Sequence, residues 1–570
     1  MMRKNAYFET ENGPANFSLL YPKVPGESSN QQNMFLELNP DAAHDLGLDE
    51  IIAAFTSARE YQREIQPLFH RLPRDPNVIL YRQAVLDDLL ANPELADRLI
   101  SLLPVINSLF EYSQRASSEM SWLHEVVRRA EELQHMIDCF EGMGQILDTL
   151  EGMFHSEGLR SLQGEIRKAQ NDPMYQSLLK ELPVMLSKLQ GSASITIGIN
   201  LDTSLRPIQA ILLAVNEKPF TDQSFLRRLF GVRTNREGIA PLHSAPQHSS
   251  ELGGAIDPML VPLFADLAKV VEKTAIPIAD QLNEYADFHG SLFTELRQAL
   301  IFYLGAVRFI RLFEKLGLPM CRPQLVSAEE RKCDVKDSYN INLVLRHMKP
   351  QDGAYPTIVM NDILIGPKGR ILILTGPNGG GKTTYMQGVG VVHILAQLGC
   401  YVPGKQAVIS PLENIFTHFP LEEKPESDTG RFGEEAIRLR KIFEQVTRHS
   451  LVLLNESLSS TSFSESLYLA QDIVRMLHRI GARVIYSTHL HELAYNVDEL
   501  NASVPGDSKI ISVVSSPIDA ATQTEDAKGQ QRYKLEVRPP LGQSYAREVA
   551  ANYGISYQQL ENVLYERGVL

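Results

Sequence analysis

Apolar positions in the first half of the chain recur with the period of an α-helix. Leu46, Leu48, Ile51, Ile52, Phe55 and Tyr61 are spaced to share helix faces. Asp75-Pro76 is a helix-start signal, and residues 78–103 keep the same period. Residues 105–190 stay mostly helical, with long amphipathic segments such as 121–139. The period then changes. Ile195-Thr196-Ile197-Gly198-Ile199 and Ala210-Ile211-Leu212-Leu213-Ala214-Val215 are β-rich and predict a small sheet inserted between helices. Residues 231–257, rich in Gly, Pro, Ser and His, read as a loop. Residues 262–318 return as one or two long helices, broken or kinked near Pro277. The first 40 residues are mostly polar, with turn signals at Glu11-Asn12-Gly13-Pro14 and Pro25-Gly26, and predict an arm or a small cap.

From about residue 335 strand-like and helix-like runs alternate. Strand candidates fall at 341–345, 357–364, 371–375, 407–409, 450–454 and 483–487. Such alternation predicts an α/β domain with a mostly parallel sheet. The pattern thus divides the chain into an arm or cap (1–40), a helical region (41–334) with a β-rich piece at about 190–235, and an α/β domain (335–570). No internal repeat of fixed period is present.

Within the α/β half, the strand candidate Ile371-Leu372-Ile373-Leu374 runs into Gly376-Pro377-Asn378-Gly379-Gly380-Gly381-Lys382-Thr383, followed by Thr384 and an apolar-periodic segment. Strand, glycine loop and helix start in that order make the phosphate-binding pattern G-x-x-x-x-G-K-[ST]. Glycines let backbone N–H groups turn inward around phosphate oxygens, and the helix start adds its positive dipole end. Lys382 supplies a charge for the outer phosphates, and Thr383 a hydroxyl for Mg2+. ATP and Mg2+ are the ligands this pattern calls for. The next long apolar strand candidate, Leu451-Val452-Leu453-Leu454, ends in Asn455-Glu456. Asp usually stands first in such a pair, binding the water shell of the metal. Asn455 can still accept a hydrogen bond from metal-bound water but brings no charge. Glu456 is the candidate general base, and with Thr383 and Asn455 it completes the candidate metal set. His489, at the end of Val484-Ile485-Tyr486-Ser487-Thr488, is placed to contact the terminal phosphate or the attacking water. His491 and Glu492 read as ordinary helix-start residues.

Composition narrows the setting. The chain has 570 residues, 44% hydrophobic and 22% charged, with net charge −14. That excludes a surface uniformly basic for nucleic acid, though not a local basic patch. Phe225-Leu226-Arg227-Arg228-Leu229-Phe230 with Arg233 and Arg236 is the best such cluster; its four arginines suit DNA phosphates, and its apolar residues equally suit an amphipathic helix packing inward. The four cysteines, Cys139, Cys321, Cys333 and Cys400, are scattered and form no C-x-x-C pair, which argues against a zinc site or a disulfide framework. No signal-like N-terminus and no 18-residue apolar run occurs, so the expected location is the cytoplasm or nucleoid, with no membrane partner.

Taken together, the motifs resemble the ATPase domain of the MutS family. Thr375 to Thr384 resembles that family's phosphate loop, with Gly379 where many members carry Met. Gly399-Cys400-Tyr401-Val402-Pro403 resembles its GxYVPA segment, and Ile415-Phe416-Thr417 its IFTR element. Residues 450–462 resemble its acidic strand and loop, Ser487-Thr488-His489-Leu490-His491-Glu492-Leu493 its ATHxxEL, and Gly542-Gln543-Ser544-Tyr545-Ala546 with Val549-Ala550 its C-terminal SYG…VA segment. Upstream, residues 75–103 with Tyr81-Arg82-Gln83-Ala84-Val85 resemble the start of the family's helical lever, and the 190–235 piece sits where the family keeps its DNA clamp. The resemblance implies a mixed fold, a helical lever and clamp region followed by an α/β P-loop ATPase domain of ABC-like type. It also implies a homodimer in which each ATPase domain completes the other's site.

Three departures qualify it. The segment before the lever-like region is shorter than the family's mismatch-reading domain, and Phe8-Glu9-Thr10-Glu11 carries no weight without that domain. The residues after the ATPase motifs lead to the expectation of no nuclease-like domain there. The loop that reaches the partner reads Ser427-Asp428-Thr429-Gly430-Arg431-Phe432-Gly433-Glu434-Glu435, shorter than usual and with its serine displaced. With Asn455, this makes ATP binding a firmer expectation than fast hydrolysis. Three functions follow: a DNA-structure binder of repair or recombination that does not read mismatches, an ATPase acting on ribosomes or another large assembly, and a nucleotide-gated scaffold with little turnover. A transporter-like or cohesin-like ATPase would carry L-S-G-G-Q before the acidic strand, and none is present.

Overall fold

The computed structural model describes residues 17–22, 34–114, 122–190, 194–204, 207–216, 276, 278–282, 285, 290–348, 358–377, 379–420, 430–515, 533–540 and 554–569. The chain packs as two compact units, one of residues 1–15, 98–151 and 163–297, the other of 16–97, 152–162 and 298–570. The second unit therefore draws on stretches that are far apart in the sequence.

The smaller unit is helical. The helices Trp122–Thr149 and Pro173–Gln190 bury Phe140 and Tyr175, whose rings meet edge to face at 5.5 Å, and Phe293 meets Phe140 at 4.8 Å. Its hairpin pairs Ser194–Leu201 antiparallel to Pro207–Asn216, as the β-rich runs predict. The arginine cluster at 225–236 and the loop at 231–257 lie outside the described residues.

The larger unit is organised by a six-stranded sheet. Its strands are β1 (Ile371–Thr375), β2 (Ile415–His418), β3 (Leu451–Asn455), β4 (Arg483–Ser487), β5 (Ile510–Ser515) and β6 (Leu535–Val537), in spatial order β2-β3-β4-β1-β5-β6. All neighbours are parallel except β5 and β6. The strands β1 to β4 are buried at every residue, which fits the apolar runs of β1, β3 and β4: a parallel sheet is covered on both faces. Side chains alternate between those faces. Ile371, Ile373, Val452, Leu454, Val484 and Tyr486 pack with Leu439 and Ile442 of α2 (Gly430–Phe443) and Val474 and Leu477 of α3 (Phe463–Ile480). The opposite face meets α1 (Lys382–Leu398), where a Cβ on Gly390 would come within 3.2 Å of Leu453.

Two elements differ from the pattern. Residues 341–345, expected as a strand, lie in the helix Ile341–His347, because the Asn340 side chain accepts from the Leu343 N–H and caps it. Residues 78–103 form two helices, Pro76–Ala91 and Pro93–Gln114; Pro93 has no N–H to continue the first. The expected start signal holds: Asp75 caps its helix by accepting from the Asn77 N–H. Of the first 40 residues, Leu19 and Leu20 are buried and 35–37 form a strand paired with 71–73. The four cysteines are free, and no described helix is long and apolar enough to cross a membrane.

Candidate nucleotide site

Parallel strands present their carboxyl ends along one edge of the sheet, and there the motif residues gather. Strand β1 ends at Thr375, and the chain turns through Gly376, Gly379 and Gly381, all with φ between +71° and +148°. L side chains strain in this region, so these positions call for glycine. Gly380 is needed for a different reason, since a Cβ there would meet Ser515 Oγ at 2.8 Å and the Pro377 carbonyl at 2.9 Å. Ser515, the last residue of β5, donates to the Gly380 carbonyl at 2.7 Å and pins the loop to the sheet. Helix α1 then begins at Lys382, and its first turn directs unpaired N–H groups at the loop.

Lys382 is buried, with Nζ donating to the carbonyls of Gly376 (3.0 Å) and Pro377 (2.9 Å). Burial lowers its pKa and Glu456 opposes that shift. Thr383 Oγ1 donates to Asn455 Oδ1 at 3.2 Å, joining the first turn of α1 to the end of β3. Glu456 Oε1 lies 3.1 Å from His489 Nε2, which follows the end of β4. That contact, more than any other, holds the Glu456 carboxyl below its ordinary pKa. Strand order explains the meeting: β3, β4 and β1 are consecutive neighbours, so their ends deliver Asn455-Glu456, His489 and the glycine loop side by side.

Glu456 stands on an unusual turn. Its φ is 50° and that of Leu458 is 66°, left-handed values that each cost about 1–3 kcal/mol for such residues. The surroundings hold the turn in place: the Glu456 N–H donates to the Ser487 carbonyl (2.9 Å), Tyr486 Oη to the Ser457 carbonyl (3.1 Å) and Ser466 Oγ to the Leu458 carbonyl (2.6 Å).

A cavity of about 790 Å3 opens over the loop, lined by Gly379 to Tyr385, Glu456, Tyr339, Asn340, Asn361 and Tyr533 among others. The donor set suits Mg–ATP: inward N–H groups and an ammonium for phosphates, and a hydroxyl, an amide oxygen and a carboxylate as hard oxygen donors for Mg2+. Of the residues predicted from sequence, Gly376, Pro377, Gly379, Gly380, Gly381, Lys382, Thr383, Thr384, Asn455, Glu456 and His489 come together here; Asn378 lies outside the described residues. Pattern reading missed Ser515, Asn340, which donates to the Thr384 carbonyl at 2.7 Å, and Asn361, which donates to the Tyr533 carbonyl at 2.9 Å. Ser515 closes an apolar run, Ile510–Ser515, that carries a strand signal; Asn340 and Asn361 carry none.

Comparison with known proteins bears on both units. Residues 372–554 match the family model for MutS domain V, and residues 74–316 match that for the MutS2 N-terminal domain. The chain is 30% identical over 240 residues to the DNA mismatch repair protein MutS of Bacillus subtilis, covering 40% of this chain and 27% of that protein. It is 37% identical over 164 residues to the Chlorobium limicola protein of the same name, 29% of this chain and 18% of that one. For the Lysinibacillus sphaericus protein of that name the figure is 26% over 368 residues, 55% of this chain and 42% of the relative. The chain thus spans less than half the length of each of these relatives.

Proposed function

Given that the chain belongs to the MutS family, we propose that it binds Mg–ATP in the glycine loop, hydrolyses it slowly to ADP and phosphate, and uses that cycle as a homodimer to hold and release DNA in repair or recombination, without reading mismatches. The observation that carries this reading is the junction of four side chains from three distant segments, Thr383 with Asn455 and Glu456 with His489, beside a loop whose left-handed positions 376, 379 and 381 call for glycine.

Each side chain has a distinct task. The loop N–H groups and Lys382 bind and orient the phosphates. Thr383 and Asn455 would hold the metal, and Mg2+ when bound would supply positive charge against the phosphates. Glu456, kept ionised by His489, accepts a proton from the attacking water as the terminal P–O bond breaks and ADP leaves. His489 orients that carboxylate. Asn455 lacks the charge of the usual aspartate, which favours slow turnover.

The test is ATP binding and hydrolysis by the full chain, alone and with mismatched, branched and single-stranded DNA. Turnover stimulated by branched or duplex DNA without mismatch preference supports the reading. Stimulation only by purified ribosomes points instead to the assembly ATPase, and tight binding with no turnover to a scaffold. Replacing Arg227, Arg228, Arg233 and Arg236 together by Glu is expected to abolish DNA retention and flatten its salt dependence. Unchanged retention rejects those arginines as the contact.

A further inference from the structure

His418 closes β2 directly after Ile415-Phe416-Thr417, where the IFTR element carries its arginine, and it is tied to the turn that carries Glu456. Its Nδ1 lies 2.7 Å from Ser457 Oγ, and its Nε2 lies 3.3 Å from the carbonyl of Glu435 on α2. Both His418 and Ser457 are almost fully buried. The partners fix the tautomer: a carbonyl can only accept, so Nε2 carries the hydrogen, and Nδ1 at 2.7 Å accepts from the Ser457 hydroxyl in preference to the His418 carbonyl at 3.4 Å. Burial, reinforced by Arg438, lowers the imidazole pKa to about 4, so the ring is neutral and keeps that pattern at physiological pH.

The imidazole therefore joins two parts of one unit. On one side is α2 at Glu435, one turn in from its start, with Phe432 of the preceding turn exposed at the surface. On the other is Ser457, the residue between the left-handed positions 456 and 458. A turn strained at two residues keeps its shape only while its surroundings over-determine it. Three of its anchors come from β4 and α3, which are themselves packed into the sheet core. The His418 bond leads instead to α2, so a shift of α2 at Glu435 has a direct route to the carboxylate.

We propose that His418, acting through Ser457, is a positioning residue that sets the placement of Glu456 according to where the N-terminal half of α2, at Glu435, lies. It rests on the reading of Glu456 as general base. His418 does not line the cavity over the glycine loop, and its effect is carried by the Ser457 hydroxyl and the turn.

The experiment compares the full wild-type chain with His418→Phe, His418→Asn, Ser457→Ala, the His418→Phe/Ser457→Ala double variant and Leu477→Ala, a core change remote from this bond. For each, kcat, KM for ATP, affinity for a non-hydrolysable ATP analogue and thermal midpoint are measured. His418→Phe and Ser457→Ala are each expected to lose roughly 10-fold to 100-fold in kcat with KM and analogue affinity nearly unchanged, as for a displaced catalytic group. His418→Asn, whose amide oxygen can still accept from Ser457, is expected to recover most of kcat, and the double variant to be no slower than either single one. Leu477→Ala is expected to lower the thermal midpoint without that kcat loss. Unchanged kcat in Ser457→Ala overturns the proposal, as does a kcat loss that only follows the loss of folded protein. If the wild type binds ATP without turnover, the ATPase reading fails separately, and amide exchange at 456–458 decides the link: faster exchange in Ser457→Ala upholds it, unchanged exchange overturns it.

Discussion

Asn455 is the residue that the proposed function makes decisive for turnover. It is buried and its side-chain oxygen receives the Thr383 hydroxyl, so it keeps the hydrogen-bond geometry of a metal-site acid without the charge. Asn455→Asp restores that charge, and its expected effect is to lower the Mg2+ concentration needed for half-maximal turnover, measured by titrating Mg2+ in a steady-state assay. Glu456→Gln removes the proton acceptor and keeps the shape; turnover is expected to fall about 100-fold or more with nucleotide affinity retained. A fall in affinity equal to the fall in turnover would count against its role. Both residues were legible from sequence because a strand followed by two polar residues is a local signal. The link from Ser457 to His418 was not, since 39 residues separate the partners and the local pattern around each says nothing of the other.

Elements owe their placement to a few long-range pins. Leu477 on α3 is buried against β3 and β4, and Leu477→Ala is expected to cost about 2–5 kcal/mol in chemical denaturation. Ahead of β5, Asp507 receives Arg331 Nη1 at 2.9 Å and Arg448 Nη2 at 3.2 Å, and its backbone carbonyl receives Arg370. The Arg331 hydrogen bond, above all, holds the Asp507 pKa at about 2, below the usual carboxylate range. A carboxylate depressed in the fold contributes stability that is complete above its unfolded pKa and lost as pH falls through the folded one. Wild-type thermal stability is therefore expected to drop between about pH 4 and pH 2 by more than that of Asp507→Asn. The carboxylate is half-exposed, so solvent screens the pair and the difference is modest. Local pattern anticipated the strands β1, β3 and β4 because their apolar runs are continuous. It misread 341–345, where one capping side chain decides between two periods that five residues cannot distinguish.

At the scale of the whole molecule, the sheet unit leaves large apolar side chains uncovered. Phe432 and Ile437 on α2, Phe463, Tyr468 and Met476 on α3, and Tyr557, Leu560, Val563 and Tyr565 on the helix Tyr557–Glu566 are exposed. Such residues suit the homodimer proposed above. Phe432→Asp with Tyr468→Asp is expected to shift the light-scattering mass toward monomer in the presence of ATP; an unchanged mass would remove this surface from the interface. The sequence by itself determined the mixed architecture, the glycine loop and the identity of its chemical groups, because periodicity, strand-loop-helix order and residue type are local properties. Only the tertiary structure decided which of those groups meet and which others support them. The order β2-β3-β4-β1-β5-β6 brings Asn455, Glu456 and His489 to the loop, sets Ser515 beneath it, and lets His418 reach from β2 to Ser457. Strand order and side-chain reach arise from packing between distant segments, and no window along the chain contains both partners.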